Sequence, residues 1–152
     1  MKWLLVGIML YTAGASRAQH THATPVTGYT WGTDYKECLK QVKQSEGRTQ
    51  CTKDRSIRYT HDEAETVLVF DEAAELEEIR VVRVFTEGQG EKAMAYFNRV
   101  LHEMNEQFGE YDSHRSHTGR VLVFGWERPK NHITLTYSAE GNTVTAQYRR
   151  AP

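Results

Sequence analysis

Seven histidines are the side chains best suited to chemistry in this chain of 152 residues. His114-Arg115-Ser116-His117 forms an H-x-x-H pair. With His102 before it and His132 after it, the pair could supply imidazoles to zinc or copper, or a general base for hydrolysis. Such metal centres need three or more protein ligands, each held by a further hydrogen bond. No Cys, Asp or Glu stands at a recognised ligand spacing beside the pair, although Asp112 is close. A solvated polar loop is therefore the favoured reading of 114–117, with no metal and no cofactor expected. A metal-binding or hydrolytic protein built on His102, His114, His117 and His132 is the alternative. His20 and His22 lie in a leader and would hold a metal only loosely.

Nucleophilic catalysis finds less support. Ser113 and Ser116 neighbour His114 and His117 only in sequence, and there is no G-x-S-x-G. Gly88-Gln89-Gly90 lacks the Lys-Ser/Thr ending of a phosphate loop. It reads as a turn, although free helix N–H groups there could meet an anion. Two acidic groups, Asp62/Glu63/Glu65 and Glu72/Glu75/Glu77/Glu78, fall in predicted turns. Paired-carboxylate hydrolases need two acids in unlike environments, and water makes turn positions alike. These read as a solvated rim that discourages strand-edge pairing. No catalytic residue is expected, and the chain reads as non-enzymatic.

The N-terminus explains where the chain would act. Lys2, the apolar run Trp3–Tyr11 and the small residues up to Ala18 have the layout of a secretory signal peptide over 1–18. That run is too short to span a membrane, which needs about 20 residues. No cysteine follows it as a lipid acceptor, so neither a membrane span nor a lipid anchor is expected. Cleavage would leave Gln19 first and a flexible leader over 19–28. Losing Lys2 and Arg17 takes the formal net charge from −1 to −3, two bases fewer. That balance offers no field for nucleic acid. A periplasmic or secreted location follows.

Export puts Cys38 and Cys51, the only cysteines, in an oxidising compartment, where a structural disulfide is the favoured reading. The bridge would close a loop of 14 residues, 38–51, which stabilises by roughly 3 kcal/mol. A redox pair is the alternative, but the spacing is not C-x-x-C.

The rest, 29–150, reads as one α+β domain. Asp34 and Glu37 form a capping-box pattern, and Tyr35, Cys38, Leu39 and Val42 share a helical face that ends by Gly47. Strands are predicted at 56–60, 66–71 and 76–85. A second helix over 91–108 carries the stripe Ala93, Phe97, Val100, Leu101, Met104 and Phe108, with Gly109 as its C-cap. Strands follow at 120–127, 132–137 and 143–148, separated by turn clusters. The predicted fold is two helices on one face of a largely antiparallel sheet of about six strands. The tetrapeptide VLVF at 67–70 and 121–124 suggests two αβββ repeats. Trp31 is placed to staple the first helix, and Tyr137 and Tyr148 to face the core.

Trp31-Gly32-Thr33-Asp34-Tyr35-Lys36-Glu37, then Val67-Leu68-Val69-Phe70-Asp71 with Leu76 and Ile79, resembles small bacterial envelope domains. These are the SmpA/OmlA (BamE-like) and beta-lactamase-inhibitor-like types. The resemblance covers roughly 31–85 and implies a non-enzymatic adaptor or inhibitor. The expectation is a binding or assembly module of the envelope. It would contact an unidentified envelope or extracellular protein through the sheet face away from the helices.

Overall fold

The computed structural model describes residues 26, 28–46, 50, 51 and 56–152, the side chains of 46, 50 and 51 excepted. The signal peptide over 1–18, most of the 19–28 leader and Gly47 lie outside the described residues. The elements run α1 (Tyr35–Glu46), β1 (Gln50–Cys51), β2 (Ile57–His61), β3 (Ala64–Phe70), β4 (Leu76–Val84), α2 (Gly90–Phe108), β5 (Ser113–His117), β6 (Val121–Arg128), β7 (Asn131–Ser138) and β8 (Thr143–Arg150).

The helices start and stop for local reasons. Asp34 Oδ1 accepts the Lys36 N–H at 2.8 Å, which satisfies a free donor of the first turn. The carbonyl of Ala74 takes the Tyr35 N–H at 2.9 Å. At the far end of α2, Gly109 has φ +83° and donates its N–H to the Asn105 carbonyl at 2.9 Å. A β-carbon at that φ would be strained, so glycine ends the helix there.

All strands pair antiparallel in one sheet, in the order β1-β2-β3-β4-β8-β7-β6-β5. The expected count of about six is corrected to eight among the described residues, of which β1 has only two residues. The two missed strands are the sheet's edges. β5 is Ser-His-Arg-Ser-His, exposed at every position. A strand with neither face buried has no apolar alternation to reveal it, and its pairing with β6 alone makes it a strand.

Register fixes the two faces, because side chains directly opposite across a ladder share a face. Ile57, Leu68, Ile79, Tyr148, Ile133 and Trp126 are consecutive partners across β2, β3, β4, β8, β7 and β6. That apolar row lies under both helices. Toward α1 it joins Trp31, Cys38 and Val42, all fully buried. Toward α2 it joins Ala93, Phe97 and Met104. Tyr148 packs against both halves of the core, and burial pushes its phenol up to about 12. Both helices thus pack on one side of the sheet, as the periodicity implied.

The element order is a helix and four strands, twice, with β4 and β8 paired at the centre. The VLVF tetrapeptides do not occupy matching places. One lies on β3, the third strand of its set, and the other on β6, the second of its set. Both alternate valine to the open side and leucine or phenylalanine to the core. That pattern is what any half-buried strand requires.

Candidate functional site

The helix-free face is built by the residues between those apolar ones. Arg58, Val67, Arg80, Gln147, Thr134, Gly125 and Ser113 are consecutive partners across seven strands. The next row holds Val69, Glu78, Arg149, His132 and Glu127. No helix covers Val67, yet it is only 3% exposed. Its direct neighbours are Arg58 and Arg80, whose aliphatic stems can cover it while their guanidinium groups stay wet. Thr134, Thr136, Thr145 and Gln147 fill the centre with half-buried hydroxyls and an amide.

Glu78 anchors this face. It is 8% exposed and lies between Arg80, which donates to its Oε1, and Arg149, whose Nε is 3.6 Å from Oε2. A carboxylate this buried requires such partners, since losing them would leave an uncompensated charge. The expected solvated acidic rim is therefore corrected. Glu65 pairs with Arg58 at 3.6 Å and Glu63 with Arg83. Asp71 and Glu75 pair with Arg150 at 3.0 and 3.5 Å. Alternation could have placed Glu78 on the face, but its arginine partners come from pairing β4 with β8, which no local pattern shows.

The four histidines of the alternative reading are not brought together. His102 is exposed on α2, 3.3 Å from Glu106. His114 and His117 are three apart on β5 and so face opposite sides. His114 stacks on the Phe124 ring at 4.5 Å on the helix side. His132 is on β7, with Nδ1 2.9 Å from Glu127. Among the described residues no three His, Cys, Asp or Glu side chains are grouped to hold a metal. The 114–117 segment, expected as a solvated loop, is the exposed edge strand β5. Asp112 is engaged by Glu127 and Arg128. Its carboxyl is held below the usual range first by the Glu127 N–H at 2.7 Å and then by Arg128 at 2.7 Å. Its contribution to stability is present above its ordinary pKa and fades as pH falls through the lowered one.

Cys38 is a fully buried free thiol in this structure. Burial, then the charges of Asp34 and Glu37, push it up to about 11. A thiol so reluctant to ionise is a poor redox nucleophile. The side chain of Cys51 lies outside the described residues. Its backbone pairs with Ile57, a member of the same core as Cys38.

A cleft of about 600 Å³ on the helix side went unread in the sequence. Tyr29, Gln41, Tyr59, His61, Thr66 and Val81 are among its walls, and the Tyr29 and Tyr59 hydroxyls are 2.6 Å apart. Thirty residues separate those tyrosines, so only the tertiary fold joins them.

No family model matches the sequence, and no curated protein matches it. Among solved structures, the fold is similar to the crystal structure of a DUF4309 family protein, YjgB, from Bacillus subtilis. The TM-score is 0.53 at 11% identity, over 87% of this chain and 88% of that one. At that identity the likeness is one of fold.

Proposed function

We propose that this chain is a secreted or periplasmic, non-enzymatic binding module that contacts a protein partner through its helix-free sheet face. The observation that carries the reading is that face itself. Valines lie among threonines and arginines over seven strands, with no element of the described chain packed on it. Arginine and apolar side chains side by side suit a protein surface better than a small ligand. The helix-plus-four-strand order, present twice, supports two copies of one unit, each supplying half of the face. The signal-peptide layout supports export, and no described helix is long and apolar enough to cross a membrane.

A photo-crosslinking residue at Val123, half-buried on the open face, is expected to capture one discrete protein from an envelope or culture-supernatant extract. The same residue at Glu103, exposed on α2, is expected to capture none. Capture from Glu103 alone would refute the assignment of the face.

The bridge between Cys38 and Cys51 belongs to the same proposal. In oxidised protein, Cys38→Ser is expected to lower stability by about 2–4 kcal/mol. Peptide mapping under non-reducing conditions checks the bond directly, and two free thiols in exported protein would refute it.

A further inference from the structure

The geometry points to a second contact, at the sheet's edge: we propose that β5 takes up an extended acidic segment of a partner protein by strand addition. Among the described residues β5 is the last strand of the sheet and pairs only with β6, so its outer side carries main-chain N–H and C=O groups that no described strand pairs. Proteins blunt such edges with proline, bulges or very short strands. Of these, and of the charged side chains that also guard edges, only a charge is present, Arg115, and a charge bars like-charged strands while admitting opposite ones. The five residues Ser113–His117 hold neither Pro nor Gly, keep unbroken register with β6 and are all exposed. The opposite edge, β1, has only two residues.

Charge selects the partner's sign. From Ser113 to Arg120 the chain holds Arg115, Arg120, His114 and His117 and no acid, although the whole chain is slightly acidic. Every other described arginine sits in an ion pair. Among the described residues Arg115 and Arg120 have no such partner. A second copy of the chain is a poor occupant. Antiparallel pairing about Arg115 would set that residue opposite its own copy, and like charges directly opposite are destabilising. An acidic strand meets the reverse situation.

The two sides of β5 also differ. Arg115 faces the open side, whereas His114 faces the helix side. There His114 stacks on Phe124, and Tyr111, 41% exposed, packs edge-on against the same ring at 4.7 Å. An added strand would thus place carboxylates beside Arg115 and apolar side chains beside this aromatic group. The matching segment alternates acidic and apolar residues, with backbone hydrogen bonds giving affinity and the alternation giving register.

This contact uses the main-chain edge of β5; Ser113 and Arg115 share a side with the proposed face, but strand pairing at the edge does not depend on that reading, and residue-by-residue exchange tells the two apart. The test is titration of the full chain with a blocked eight-residue peptide of alternating glutamate and valine, beside its lysine–valine counterpart. Amide exchange is followed residue by residue. The glutamate peptide is expected to bind and to slow exchange within 113–117. Its preference over the lysine peptide should be about tenfold or more, and Arg115→Glu should reverse it. Thr145→Glu, on the open face and three strands away, should change peptide affinity by less than about twofold. Equal binding of both peptides, protection on β7 or β8 instead of β5, absence of binding, or a concentration-dependent dimer that buries β5 would each overturn the proposal.

Discussion

Phe97→Ala is expected to remove about 3–5 kcal/mol from the folded state, the usual cost of emptying a buried aromatic site. Phe97 is 1% exposed on the inner face of α2. Its ring lies 5.7 Å from that of Phe124 on β6 and 5.8 Å from that of Tyr137 on β7. Both neighbours are held in register by the ladder, so they cannot slide in to fill the void. Alanine is the better helix former, but by less than about 0.7 kcal/mol, so packing decides the sign. The loss is a large share of a typical domain stability of about 5–15 kcal/mol. His102→Ala, five residues along the same helix, is the control. Its ring is exposed, and its contact with Glu106 one turn on is an ion pair only when the imidazole is protonated, with about 0.5 kcal/mol as its ceiling. It should shift stability by no more than about 0.5 kcal/mol. Urea denaturation of the two variants gives both numbers. Near-equal effects would mean that α2 is not packed on the sheet as described.

The same contrast explains what could be read from the chain. Phe97 and His102 were separable because a helix packed on a sheet writes its buried face into the sequence at period 3.6. The central strands were legible for a similar reason, their apolar residues alternating over a single buried face. His114 to His117 was not legible. An edge strand with two wet faces has the composition of a loop, and only its pairing partner tells them apart. Glu78 failed for a different reason. Its neighbours in sequence are acidic and suggest a solvated turn, whereas its partners in space are Arg80 and, from the other half of the chain, Arg149. VLVF misled because identical strands answer identical burial demands, whatever their place in the sheet. Local pattern thus reports burial well and pairing poorly. The candidate surfaces of this protein, an open face and an edge, are defined by pairing.

Trp31 tests how the halves are joined, and Trp31→Ala is expected to cost about 3–5 kcal/mol. The indole is fully buried in the core of the first helix, more deeply than a capping staple requires. The segment carrying it is tied to β4, since Gly32 N–H donates to the Leu76 carbonyl at 3.0 Å and Leu76 N–H to Thr33 at 2.9 Å. Its Nε1 then donates to Asn131 Oδ1 at 2.7 Å, at the start of β7 and 100 residues away. One side chain therefore fills the first core and reaches the second half. Two further variants separate those roles. Trp31→Phe keeps most of the apolar area and loses the donor, which leaves a part-buried amide oxygen unpaired and should cost about 1–3 kcal/mol. Asn131→Ala removes the acceptor instead. If the hydrogen bond couples the halves, the double variant should be less damaged than the sum of the singles by about 0.5–1.5 kcal/mol. A double-mutant cycle measured by denaturation checks this. Additive losses would mean that Trp31 acts through packing alone, and a Trp31→Ala variant as stable as the parent would remove the indole from the core altogether.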